Sequence, residues 1–135
     1  MMRRLLKKTG TWLFPAVVML FTFLFLKYMF LLGYVPTESM EPTLKRGSYI
    51  IGCRIYSDLE AGDIIIFRHD GKLLVKRIAA VAGETIERNG AILTVPEDCY
   101  YVLGDNAEYS YDSRFWLEPF VEGKHVVAKL FWHYN

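Results

Sequence analysis

Ser39, within Thr37-Glu38-Ser39-Met40-Glu41-Pro42-Thr43-Leu44, is a side chain that could attack a carbonyl. A serine hydroxyl is a weak nucleophile until a neighbouring base takes its proton. The base on offer is Lys76, in Val75-Lys76-Arg77-Ile78. Leu73, Leu74, Val75, Ile78 and Ala79 would surround its amine with apolar surface if their strand is buried. Burial disfavours the ammonium, lowers its pKa and leaves a neutral amine able to accept a proton. Arg77 would point to the opposite face of the same strand, which separates a candidate base from a candidate structural cation. Alone, the pair would read as two surface charges on an edge strand; the Ser39 segment reverses that reading. His69, His125 and His133 stand in no motif and read as exposed or structural.

Such chemistry also needs donors for the oxyanion of a tetrahedral intermediate, and the backbone N–H of Ser39 is one candidate. Pro36 and Pro42 flank the segment and stiffen it. Met40 reads as a flexible apolar filler that can line a substrate pocket. A third polar segment, Gly104-Asp105-Asn106 through Ser110 to Asp112-Ser113-Arg114, would by itself be a surface loop with an ordinary turn.

The elements that must position these groups are legible in outline. Residues 12–35 are almost wholly apolar, long enough to cross a hydrocarbon core of ~30 Å. Lys27 is the single charge, near the far end, where its stem can reach the interface. Arg3, Arg4, Lys7 and Lys8 precede the run and predict a cytoplasmic N-terminus. The run is too long for a cleaved leader and lacks a small-residue cut site, so it reads as an uncleaved anchor. The division is therefore a basic segment at 1–11, a span at 12–35 and one extracytoplasmic domain at 36–135. Short β-branched and aromatic runs fill that domain: 48–56, 63–68, 73–81, 85–88, 91–95, 99–103 and 124–132. Asp70-Gly71 and Asn89-Gly90 mark two hairpin turns. The pattern predicts a mainly β, compact, partly closed barrel or sandwich behind one helix.

These segments, in this order behind an anchor, resemble the boxes of the type I signal peptidases, membrane-bound serine proteases with a Ser/Lys dyad. The resemblance runs from the anchor to Arg114. It implies Ser39 as nucleophile and Lys76 as general base, with the Thr37 hydroxyl helping the oxyanion. It implies that Ser110 hydrogen-bonds and orients the Lys76 amine and that Asp112 and Arg114 form a bracing ion pair. Met40, Arg77 and Asp105 are then structural residues near the site. Many members carry arginine where this chain has Ala107. The implied substrates are preproteins still carrying signal peptides, met at the outer face of the lipid bilayer beside the secretion translocon. Small side chains at the first and third positions before the cut imply shallow apolar pockets. No cofactor and no metal are expected. A lysine at the base position points to a bacterial or organellar enzyme.

Other readings exist. A specialised peptidase maturing a pilin or conjugation protein would look much the same. A non-enzymatic assembly chaperone of the same fold would be expected to have lost Ser39 or Lys76. A self-cleaving repressor would need a DNA-binding module in place of the span. A net charge of +1 argues against a nucleic-acid partner. Cys53 and Cys99 could pair outside the cytoplasm or be small apolar fillers, and their spacing does not recommend pairing.

Overall fold

The computed structural model describes residues 2–134, with side chains from residue 12 onward. Helix α1 spans Met2–Met29. The side chains of Arg3, Arg4, Lys7 and Lys8, on which the orientation of the span was argued, lie outside the described residues. Trp12–Met29 has a mean hydropathy of 1.8 and is unburied by the rest of the chain. It is long and apolar enough to cross a membrane.

The helix stops earlier than the apolar run. Phe30–Tyr34, expected to finish the span, is strand β1, paired antiparallel with β2 (Tyr49–Cys53) from Phe30↔Cys53 to Tyr34↔Tyr49. Composition could not mark this boundary, because a β-branched partner strand accepts the same apolar residues as a bilayer. Arg54 N–H caps the end of the helix by donating to the Met29 carbonyl at 2.8 Å.

The remaining strands are β3 (Ile64–His69), β4 (Lys72–Val81), β5 (Thr85–Arg88), β6 (Ala91–Thr94), β7 (Cys99–Leu103), β8 (Phe120–Glu122) and β9 (Val126–Tyr134). Seven form one antiparallel sheet in the order β1-β2-β9-β3-β4-β7-β8, and β5-β6 is a separate hairpin. The sheet curls without closing, so the expected β class holds as a partly curled sheet. Register shifts at Ile51/Gly52, Ile66/Phe67 and Ile78/Ala80 bend it. Both hairpin turns have two residues at positive φ, Asp70 and Gly71 in one, Asn89 and Gly90 in the other. That is the geometry Asp-Gly and Asn-Gly favour.

β3 explains the double core. Ile64, Ile65, Ile66 and Phe67 are all buried, an unbroken apolar run rather than an alternation. Ile64 and Ile66 join Val35, Met40, Leu44, Ile50 and Ala128 on one face. Ile65 and Phe67 join Ile78, Val102, Trp116 and Val121 on the other. A strand covered on both faces has no reason to alternate. Cys53 and Cys99 are unpaired and half-buried.

Candidate active site

Ser39 follows β1 by a short turn, so the end of the helix and this serine are separated by one strand. Two apolar side chains place its loop: Met40 is 1% exposed and Leu44 fully buried. Burying such a side chain contributes about 1.5–3 kcal/mol, against about 1 kcal/mol for a hydrogen bond. The core therefore fixes where the loop sits, and hydrogen bonds set its orientation. Met40 is thus an anchor as well as a pocket wall. Leu44 N–H donates to the Met40 carbonyl at 2.9 Å and closes the turn.

The third polar segment grips this loop. Asn106 N–H donates to the Ser39 carbonyl at 3.0 Å, and its Nδ2 donates to the Glu38 carbonyl at 3.1 Å. Thr43 Oγ1 donates to Asp105 Oδ2 at 2.6 Å. Asp105 in turn receives Arg77 Nε at 2.8 Å and Nη2 at 2.6 Å. Arg77 Nη1 continues to the Gly62 carbonyl at 2.7 Å. Three stretches remote in sequence thus meet through one carboxylate. Burial works against the Asp105 charge, but the bonds from Arg77 and Thr43 outweigh it and hold its pKa below the usual range.

Lys76 lies one residue from Arg77 on β4, opposite Ile65. It is 4% exposed, whereas Arg77 is half-buried. Burial pushes the Lys76 pKa down; the charges of Asp112 and Asp105 oppose that, and Arg114 adds to it. This is the direction a general base requires. Ser39 and Lys76 both line one cleft of ≈ 380 Å³ together with Thr37, Met40 and Trp116. Among the described residues, no hydrogen bond joins Ser39 Oγ to the Lys76 amine. Ser39 Oγ is instead 3.3 Å from Thr37 Oγ1. Catalytic hydrogen bonds in enzymes without substrate are commonly long and tighten in the complex.

Asp112 is fully buried and would be costly without partners. It accepts from Gly104 N–H at 2.9 Å, Ser110 Oγ at 2.6 Å, and Arg114 Nε at 2.8 Å and Nη2 at 2.9 Å. Burial raises its pKa, and these bonds overcome that and lower it. Asp112 and Arg114 thus form a two-point ion pair. Ser110 was expected to bond Lys76; the bond observed spends its proton on Asp112, leaving the oxygen's lone pairs as acceptors.

His69, read from sequence as exposed or structural, also lines the cleft and stacks on Trp116 with ring centroids 3.9 Å apart. The aromatic run after Arg114 divides: Trp116 is buried, Phe120 half-buried, and Phe115 and Leu117 exposed.

A match to the family model described as signal peptidase, peptidase S26, covers residues 6–95 and 88–134, nearly the whole chain. The chain belongs to the signal peptidase family. It is 28% identical to signal peptidase I of Leptolyngbya laminosa, over 76% of this chain and 68% of that protein. It is 31% identical to a probable signal peptidase I-2 of Synechocystis, over 73% of this chain and 60% of that one. The chain therefore spans about two thirds of the length of these relatives. An inactive signal peptidase IA of Staphylococcus aureus is 29% identical over 60% of this chain and 49% of its own length.

Three residues that brace this candidate site were given no individual role from sequence, although Gly104 and Asn106 stand in the third polar segment. Asn106 is the clamp already described. Arg88, on the β5-β6 hairpin, donates from Nε to the Arg114 carbonyl at 3.1 Å and from Nη2 to the Trp116 carbonyl, bracing the segment that carries Asp112. Gly104 is a close approach. A Cβ there would meet Ser110 Oγ at 2.1 Å, the Ser39 carbonyl oxygen at 2.4 Å and Ser110 Cβ at 2.5 Å. The glycine is thus the joint at which Ser39 and Ser110 come together. Gly104→Ala is expected to reduce kcat/KM by about 100-fold or more, because room can be made only by moving the Ser39 loop or Ser110. Its thermal unfolding should also fall, since overpacking a filled site costs about 1–3 kcal/mol. An alanine enzyme with normal turnover would show that the two serines need not be held this closely.

Proposed function

We propose that this chain is a membrane-anchored serine endopeptidase that removes N-terminal signal peptides from exported preproteins. The observation that carries the reading is a buried, pKa-lowered lysine sharing one cleft with a serine in a braced loop. Helix α1 is the anchor, the N-terminus lies in the cytoplasm, and the sheet lies on the far side of the membrane. One strand then separates the bilayer edge from Ser39, so the catalytic site works where a preprotein's cleavage site emerges. Confinement to that surface raises the effective concentration of enzyme and substrate for each other.

β4 supports an extended substrate. Residues 72–77 pair with β3 and residues 77–81 with β7, so the first half of β4 has an unpaired edge. Residues 72–76 line the cleft, and Tyr34–Thr37 form another part of its wall. A peptide laid there gains main-chain hydrogen bonds, and its alternate side chains reach pockets.

In the reaction, Lys76 as a neutral amine takes the Ser39 proton as Oγ attacks the scissile carbonyl. Ser39 N–H and the Thr37 hydroxyl stabilise the oxyanion. Lys76 then gives its proton to the departing amine, leaving an ester on Ser39. A water, deprotonated by Lys76, hydrolyses that ester and releases the signal peptide. Ser110, its own proton held by Asp112, accepts an N–H from Lys76 and aims the amine's lone pair. Ser110→Ala should therefore lower kcat by up to about 100-fold while moving KM little, the mark of an orienting contact. An unchanged kcat would remove that role.

Retention of both Ser39 and Lys76 favours an active enzyme over an assembly chaperone, even with an inactive protein among the relatives. The test is incubation of the detergent-solubilised chain with a preprotein, followed by sequencing of the new N-terminus. The expected cut falls after small residues at the first and third positions before it. An uncut preprotein, or a cut elsewhere, would refute the reading.

A further inference from the structure

A second cavity, of ≈ 850 Å³, lies where α1 meets the sheet. Phe23 and Leu26 come from the helix, Phe30 from β1 and Phe131 from β9, and these make the walls apolar. Two cations share it: Lys27 from the last turn of α1 and Arg54 from just after β2. Among the described residues, neither has an acidic partner. Both line one largely apolar cavity while remaining exposed themselves. A cation at the edge of hydrocarbon is retained at a cost unless an anion meets it. No side chain among the described residues supplies that anion.

We propose that this cavity binds one anionic phospholipid, its phosphodiester between Lys27 and Arg54 and an acyl chain along Phe23, Leu26, Phe30 and Phe131. The charge complementarity selects the headgroup, and the aromatic and leucine walls select a ligand with a tail. The position matches as well, because Arg54 is tied through its N–H to Met29 at the end of the apolar helix. The lipid would join the helix to the sheet and fix the height of the cleft above the bilayer. This inference rests on the anchor reading of α1 but not on the Ser39 and Lys76 chemistry.

The test uses the full chain in nanodiscs of phosphatidylcholine, with and without phosphatidylglycerol. Lipid retained after extraction is read by native mass spectrometry, and thermal unfolding is followed in parallel. One phosphatidylglycerol should stay bound, with a raised unfolding midpoint. In K27Q/R54Q its retention should fall by roughly tenfold or more and the shift should vanish. The single variants K27Q and R54Q should be intermediate. R3Q/R4Q/K7Q/K8Q should retain the lipid, because the site is not the basic N-terminus. Ser39→Ala should retain it too, which separates this result from the peptidase assay. Equal retention by K27Q/R54Q, loss of the lipid in the N-terminal variant, or an equal effect from inorganic phosphate in phosphatidylcholine nanodiscs would overturn the proposal. A preprotein or a second copy displacing the lipid would give the cavity a different occupant and overturn it as well. A chain that stays out of the nanodisc would overturn it together with the anchor.

Discussion

Lys76→Arg is expected to cut preprotein at least about 10³-fold more slowly than wild type, as slowly as Lys76→Ala. Arginine keeps the cation but cannot lose its proton in a protein. The position has little room for a permanent charge, because it is 4% exposed and burial is the largest influence on its titration. If Lys76 were only a partner for Asp112, the arginine should serve nearly as well. The comparison of the two variants therefore separates a base from a structural cation, which the alanine alone cannot do. Circular dichroism and the unfolding midpoint establish that each variant is folded. A fully active arginine enzyme would leave the site without its base.

Ser39→Ala should remove cleavage altogether within detection, a loss on the order of 10⁴-fold or more, since no other hydroxyl is held in its place. The neighbouring Thr37 hydroxyl is only 3.3 Å away and is the natural suspect for a substitute. Thr37 is exposed, while Ser39 is buried and its carbonyl is clamped by Asn106, so only Ser39 is placed with precision. The fold should survive, because the anchoring of the loop rests on Met40 and Leu44. Ser39→Cys should keep a measurable fraction of activity, thiolate being a strong nucleophile. Normal cleavage by the alanine enzyme would make the proposed mechanism wrong.

The sequence carried the chemistry better than it carried the architecture around it. Ser39 and Lys76 were picked out by residue type and order, whereas the Asp112–Arg114 pair, which charge alone could not assign, came from the resemblance and is present in the structure. Most strands were legible too, since Asn89-Gly90 and Asp70-Gly71 punctuate runs of β-branched residues. The boundary at Met29 was not, because Phe30-Leu31-Leu32 is as apolar as the helix before it, and only pairing with β2 makes it a strand. β8 has three residues and no pattern of its own; β7 recruits it. Arg88, and the particular contacts of Asn106 and Gly104 within the third polar segment, escaped for a related reason. Each acts on a partner far along the chain, and an ordinary Asn, Arg or Gly carries no local trace of such a partner. The direction of the Ser110 bond depended on where the buried Asp112 carboxylate lay, which spacing does not encode. His69 was read as exposed or structural, and only the fold brings it to the cleft.

That placement sharpens the most direct test, because the cleft holds an imidazole as well as the proposed amine. The measurement is the pH dependence of kcat/KM for wild type and His69→Gln on one preprotein. A base acts when deprotonated, so activity should rise with pH along a single limb. The apparent pKa should lie below the ordinary lysine value of about 10.4, the direction that burial gives Lys76. The same limb should persist in His69→Gln. A limb that disappears in His69→Gln would contradict the assignment of Lys76 as the base.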